Sequence, residues 1–295
     1  MSLPIPAGFT ASGIAAGLKD SGDLDLALIV NNGPRYNAAG VFTRNRIAAA
    51  PVRWSQHALE NGEAKAVILN SGGANACTGV PGDRDAAAMA DHTAQALNIA
   101  SDDVLVCSTG LIGEQLPMEK VIPGIQTATE ALSEVGFEAA AKAIMTTDTI
   151  PKTAQAQGTG YLVSGITKGA GMIAPGMATM LAVVTTDAVL DSALAHEILA
   201  EAVRTTFNRA DSDGCMSTND TVILMASGAS GMTPDRAEIQ ELIRQVCASL
   251  ARQIIGDAEG STRDIAVTVH GAATEADGEE VARAVSRSNL FKTAM

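Results

Sequence analysis

The sequence predicts an α+β fold built on mixed sheets, and three observations carry that expectation. Short apolar, β-branched runs occur both in pairs around a turn and directly before helical segments. Of the 295 residues 46% are hydrophobic and only 18% charged, enough apolar material for a large core. No internal repeat, low-complexity segment or linker-like stretch divides the chain.

Leu24 to Val30 and Ala39 to Ile47 read as two strands joined by the turn Asn31-Asn-Gly-Pro34. Lys65 to Leu69 reads as a third, running into the loop Asn70 to Gly79, which is rich in glycine and small polar residues. Asp83 to Leu97 has a helical face of Ala86, Met89, Ala90, Ala94 and Leu97. Val104 to Cys107 is a short strand ending at Ser108-Thr-Gly-Leu-Ile-Gly113, and helices follow over Pro123 to Leu132 and Phe137 to Met145. The central stretch Lys168 to Ala188 begins as a glycine-rich loop and continues as a buried strand from Thr179 to Val184. Asp191 caps a helix facing inward with Ala195, Ile198, Leu199, Ala202, Val203 and Phe207. A polar loop from Asp211 to Asp220 feeds a strand from Thr221 to Ala226. Thr233-Pro234 reads as a cap and first helical position, opening a helix with Ile239, Ile243, Val246 and Leu250 on one face. Ile265 to Val269 alternates as a strand, and Gly278 to Val285 closes the reading as a helix.

A net charge of −13 argues against a nucleic-acid surface or an anionic membrane face. Cys77, Cys107, Cys215 and Cys247 stand too far apart for a zinc motif, and no cofactor or metal is expected. The first residues lack the basic and apolar regions of a signal peptide, and no apolar run approaches a membrane span. The expectation is a soluble, cytoplasmic protein of a reducing compartment.

The loops after the strands carry the candidate chemistry. Thr179 follows Gly176-Met-Ala178 at the start of its strand, and a hydroxyl there can be a nucleophile. It can equally be an ordinary strand-start threonine, and local pattern favours that reading. The Gly110 N–H and the Thr109 hydroxyl could hold a developing oxyanion, or mark a plain strand-to-turn transition. Lys168 could bind a carboxylate or depress the pKa of an amine, and Glu259 could bind an ammonium. Each is also compatible with a solvated side chain. His57, His92, His196 and His270 form no Ser/His/Asp pattern, so a hydroxyl nucleophile would need another base. The α-amine of a threonine at a new N-terminus is one such base. Gly165 to Gly171 and Ser71 to Gly79 match neither phosphate-binding glycine motif.

Taken in order, the motifs resemble one family. They are Gly40-Val-Phe-Thr-Arg-Asn45, Asn70-Ser-Gly-Gly-Ala-Asn75, Cys107-Ser-Thr-Gly-Leu-Ile-Gly113, Ala143-Ile-Met-Thr-Thr-Asp-Thr149 and Lys168-Gly-Ala-Gly-Met-Ile-Ala-Pro175. Met177-Ala-Thr-Met-Leu181, Ser217-Thr-Asn-Asp-Thr221, Asp257-Ala-Glu-Gly260 and Leu290-Phe-Lys-Thr-Ala294 complete them. Together they resemble the glutamate N-acetyltransferases of arginine biosynthesis, also called ornithine acetyltransferases. The resemblance implies a layered α/β/β/α arrangement of mixed sheets and self-cleavage between Ala178 and Thr179. It thereby implies an N-terminal chain 1–178 and a C-terminal chain 179–295, two such protomers forming a heterotetramer. It makes Thr179 the nucleophile of a ping-pong acetyl transfer from N-acetylornithine to glutamate, with acetyl-CoA as an alternative donor. Thr109 and Gly110 take the oxyanion-hole positions, and Thr147, Lys168, Thr179 and Glu259 the substrate-binding positions. Family members continue beyond Lys292-Thr-Ala294, so relative to the family the C-terminal chain 179–295 reads as truncated, either a fragment or a shortened form. The alternatives are an N-terminal-nucleophile amidase or aminopeptidase, which would pass the acyl group to water, and an uncut, inactive fragment.

Overall fold

The computed structural model describes residues 4–174 and 180–295, and the burial of individual strands dictates its layering. Among the described residues, nine strands form two sheets. The first has the order β1 (Phe9–Ile14), β2 (Leu26–Asn31), β4 (Ala66–Gly73), β5 (Val104–Leu111). The second runs β3 (Asn37–Phe42), β9 (Thr221–Ala226), β8 (Leu181–Thr186), β7 (Leu162–Lys168), β6 (Lys152–Gln157). Every residue of β2, β8 and β9 is buried, so each sheet needs a cover on both faces.

Alternation along the strands supplies both covers. In β2, Leu26 and Leu28 face α2 (Gly79–Leu97) and α3 (Met118–Glu130), while Ala27 and Ile29 face the other sheet. In β8, Ala182 and Val184 face α5 (Ser192–Thr205) and α6 (Arg236–Gly256), while Leu181 and Val183 face the first sheet. The result is the expected α/β/β/α sandwich with mixed sheets, in which β4–β5 and β8–β9 are parallel and the other pairs antiparallel. Helix α4 (Phe137–Ala143) inserts Phe137, Ala140 and Ala141 into the core between the sheets. Helix α1 (Ala50–Ala58) closes the open edge of β5 with side chains instead of a strand. Ser55 Oγ donates to the Val106 carbonyl at 2.7 Å and accepts from its N–H at 2.9 Å, and Trp54 Nε1 donates to the Val104 carbonyl at 2.9 Å.

Several elements depart from the sequence reading. The strands flanking Asn31-Asn-Gly-Pro34 are not a hairpin, because β1 and β4 occupy both edges of β2 and send β3 to pair with β9 in the other sheet. Lys168 does not open a loop: it ends β7, which with β1, β6 and α1 was not foreseen. Gly165 sits in β7 because a Cβ there would lie 3.0 Å from side-chain atoms of Val246 and Leu250 on α6, so this glycine serves helix packing. Helix α3 starts at Met118 and tolerates Pro123 in its second turn, at the cost of one hydrogen bond. Helix α6 is capped by Asp235, whose carboxylate accepts from the Ala237 and Glu238 N–H groups, leaving Thr233-Pro234 outside it. Residues 265–269 pair with no strand among the described residues. The closing helix α7 (Glu275–Ser286) carries a capping box of Thr274 and Asp277, and a short α8 (Asn289–Ala294) follows. No described helix is long and apolar enough to cross a membrane.

Phe137→Ala should cost about 3–5 kcal/mol in urea unfolding, since it opens a cavity between the sheets. Val281→Ser on the exposed face of α7 should stay within about 0.5 kcal/mol of the parent.

Candidate active site

At one end of the sandwich the strands give way to a cleft of about 970 Å³. Thr109, Gly110, Thr147, Lys168 and Glu259, from four separate segments, all line it. Those are all the candidate site residues that fall within the described chain; Ala178 and Thr179 lie outside the described residues. A second cavity of about 670 Å³, between α7 and residues 265–274, contains none of the candidates.

The wall from β5 depends on two glycines. The β4–β5 ladder runs in register from Ala66 opposite Val104 to Gly72 opposite Gly110, then slips at Gly73. Gly110 has φ +131°, and a Cβ on it would lie 2.4 Å from the carbonyl carbon of Gly72. Only glycine fits so close a backbone approach. Burial along β5 ends here, with Thr109 still covered and Gly110 exposed to the cleft.

The opposite wall is organised by buried charge. Lys168 is 2% exposed, and its Nζ donates to Thr146 Oγ1 at 2.6 Å and lies 3.8 Å from Asp148 Oδ2. It is therefore not a solvated lysine. Burial draws its pKa below the ordinary lysine range, against the pull of Asp148. Asp148 also accepts from the N–H groups of Thr146 (3.0 Å) and Gly169 (2.7 Å) and from Lys152 Nζ (2.6 Å). Burial alone would raise the Asp148 carboxyl; Lys168, Lys152 and the two N–H groups together hold it below the ordinary carboxylate range. Lys152 is wholly buried and pairs on its other side with Asp257, which also accepts from Thr149. Asp257 too is pushed up by burial and held down by Lys152 and Thr149.

Asp257 leads into the turn that carries Glu259. The Glu259 N–H donates to the Ala170 carbonyl at 2.7 Å, and its carboxylate lies over Gly171, where a Cβ would be 2.8 Å from Oε1. The cleft thus offers a cation in one wall, a carboxylate over the loop beyond it and a hydroxyl-and-amide pair opposite. That arrangement suits a zwitterionic ligand with a carbonyl to polarise. Sequence reading missed Thr146, Asp148, Lys152 and Asp257. The one available signal was Lys152 at the head of the alternating run Lys-Thr-Ala-Gln-Ala-Gln, a charge on a strand's inward face.

The ArgJ family matches residues 10–295. The arginine biosynthesis bifunctional protein ArgJ of Streptomyces avermitilis is 57% identical over 295 residues, 100% of this chain and 77% of the relative. Its counterpart in Thermobifida fusca is 54% identical with the same coverage. A crystal structure of ornithine acetyltransferase complexed with ornithine, from Mycobacterium tuberculosis, is 46% identical with a TM-score of 0.55. That match covers 61% of this chain and 96% of that one.

Lys152→Met should lower stability by about 3–5 kcal/mol in urea, because it strands two carboxylates in the interior. The effect of Asp148→Asn should depend on pH. A carboxyl whose folded pKa is lowered contributes stability that is present above its unfolded value, near pH ~4, and is lost as pH falls through the folded value. The stability gap between wild type and Asp148→Asn, followed by denaturant titration, should therefore narrow from pH 5 to pH 3.

Proposed function

The chain belongs to the ArgJ family and is an acyltransferase of arginine biosynthesis, and from that premise we propose that it moves an acetyl group from N-acetylornithine to glutamate through an ester on Thr179. The observation that supports this reading most is the convergence of Thr109, Gly110, Thr147, Lys168 and Glu259 on one cleft. An amino-acid substrate brings a carboxylate, an ammonium or amine, and an acetyl carbonyl, and the cleft offers each a partner of the right kind.

The chain first cuts itself. Thr179 Oγ attacks the Ala178 carbonyl carbon, the peptide C–N bond breaks as the C–O bond forms, which frees the Thr179 α-amine, and water then hydrolyses the resulting ester to give the Ala178 carboxylate and the free Thr179 hydroxyl. The two pieces stay joined by the β7–β8 ladder, which runs from Lys168 opposite Leu181 to Val163 opposite Thr186. In turnover the α-amine takes the proton of Oγ as Oγ attacks the acetyl carbonyl. The Gly110 N–H and the Thr109 hydroxyl hold the oxyanion. The proton then passes to the departing amine, ornithine leaves, and acetyl-Thr179 remains. The neutral amine of glutamate attacks that ester, giving N-acetylglutamate and returning the proton to Oγ. Lys168 takes the substrate carboxylate, Glu259 an ammonium, and Thr147 a hydroxyl contact. Acetyl-CoA is an alternative entry to the same ester. Two cleaved protomers assemble as a heterotetramer in the cytoplasm.

On a denaturing gel the purified protein should run as two pieces, with a new N-terminus at Thr179, and Thr179→Ala as one. Given N-acetylornithine and glutamate, the wild type should produce N-acetylglutamate, and Thr109→Ala should lower kcat by roughly 10²–10³-fold. Release of acetate without N-acetylglutamate would assign the site to a hydrolase instead.

A further inference from the structure

The buried stretch Ser217-Thr-Asn-Asp220, directly before β9, has no part in the reaction as described. It leads into the second sheet, yet its contacts reach the first. Asn219 Nδ2 donates to the carbonyls of Ala74 at 2.6 Å and Ser108 at 2.8 Å, and Asn219 Oδ1 accepts from Thr218 Oγ1 at 2.6 Å. Two carbonyls at one end of the amide require its NH₂ there, so the orientation follows from the partners. The Ser108 carbonyl is one half of the peptide unit whose other half is the Thr109 N–H.

The next residue makes the matching contact on its own sheet. Asp220 Oδ1 accepts from the Met180 N–H at 3.0 Å, while the Thr221 N–H donates to the Met180 carbonyl at 3.1 Å. Met180 N is the atom through which residue 179 is joined to β8. Asp220 is itself pinned, because the Thr43 N–H donates to its carbonyl at 2.8 Å. A peptide unit is planar, so a bond that fixes one end orients the whole unit. Two consecutive side chains therefore grip the peptide that joins Ser108 to Thr109 and the amide of Met180, the residue that follows 179 in sequence.

We propose that Asn219 and Asp220 are positioning residues for the acyl transfer, a clamp in which Asn219 holds the peptide that leads into the oxyanion residue Thr109 and Asp220 holds the amide of Met180, next in sequence to the nucleophile. This rests on the assignment of Thr179 as nucleophile and Thr109 with Gly110 as oxyanion donors. The clamp answers a need of the architecture. The facing sheets meet through apolar side chains, which attract without direction, whereas a misplacement of about 1 Å between reacting groups can cost about 10²-fold in rate. Directional hydrogen bonds that cross the layers supply the missing alignment.

Asp220 engages Met180 through one carboxyl oxygen alone. Burial holds its carboxyl well above the ordinary range, only partly offset by the Met180 N–H, Lys168 and Ser217. Its second oxygen has no hydrogen-bond partner among the described residues. Asparagine has the same shape, keeps the acceptor for Met180 and puts N–H where a neutral acid carries O–H. Asp220→Asn therefore separates alignment from charge.

The test compares Asn219→Ala, Asp220→Ala and Asp220→Asn with the wild type in self-cleavage rate, in kcat and in KM for N-acetylornithine. The two alanine variants should lose roughly 10- to 100-fold in kcat and in cleavage rate while KM moves by less than about threefold. Asp220→Asn should stay within about threefold of wild type in both rates. Alanine variants with wild-type rates, or an Asp220→Asn as slow as Asp220→Ala, would overturn the clamp. Amide hydrogen exchange at Met180 judges it independently of acetyl transfer: exchange should quicken in Asp220→Ala and stay slow in Asn219→Ala and Asp220→Asn. Unchanged exchange at Met180 in Asp220→Ala refutes the clamp, whereas a wild type that forms no N-acetylglutamate refutes only the acetyltransferase reading.

Discussion

One buried carboxylate, that of Asp148, holds the cleft together. It accepts the N–H groups of Thr146 and Gly169, is paired with Lys152 and lies beside Lys168. Through Lys152 it reaches Asp257 and so the turn bearing Glu259. Three segments of the cleft wall, around Thr147, Lys168 and Glu259, thus share one electrostatic anchor. Taking these charges out of water is costly, and the network persists because its bonds are short and shared among several partners. An apolar core at this position would be easier to stabilise but would leave Lys168 and Glu259 without a fixed relation.

The sandwich explains where such a network can sit. Between the sheets the filling is Ala, Val, Leu and Ile with Phe9, Phe137, Cys107 and Met225, with no place for a polar ligand. Toward the ends of β4, β5 and β7 the side chains change to glycine, threonine and lysine, and the layers part. Chemistry is confined to the rim, where backbone groups are freed from their ladders but still oriented by them. The same strands that build the core therefore aim the site, and a small shift between layers would be felt directly at the cleft.

The sequence made the layers legible where a pattern was long or a cap distinct. The faces of α2, α5 and α6 and the Asp191 cap appear as read. What it hid depended on pairing at a distance. The turn after β2 looked like a hairpin because turn chemistry is local, while the choice of sheet for β3 depends on which strand edges are already occupied. Gly165 entered the reading only as the start of a glycine-rich stretch matching no phosphate-binding motif, yet it is room for Val246 and Leu250 from a distant helix. Lys168 looked solvated because Thr146 and Asp148, which bury and bind it, lie in another segment. Resemblance to a family reached Thr147, which pattern alone did not distinguish, and gave a role to Glu259, which pattern left between an ammonium partner and a solvated side chain. It took in Asp257 only as the first residue of a motif and did not reach Lys152, and the bond between the two spans 105 residues.

The chain has one tryptophan, and it occupies a telling place. Trp54 lies on α1 with its indole N–H on the Val104 carbonyl, at the start of the strand that ends in Thr109 and Gly110. Intrinsic fluorescence excited at the indole band therefore comes from a single point on the edge of β5. It is a built-in optical gauge of how firmly α1 seals that edge, blind to events around α6 or α7. Loosening of the edge could be followed in real time without a label, separately from the loss of the fold as a whole.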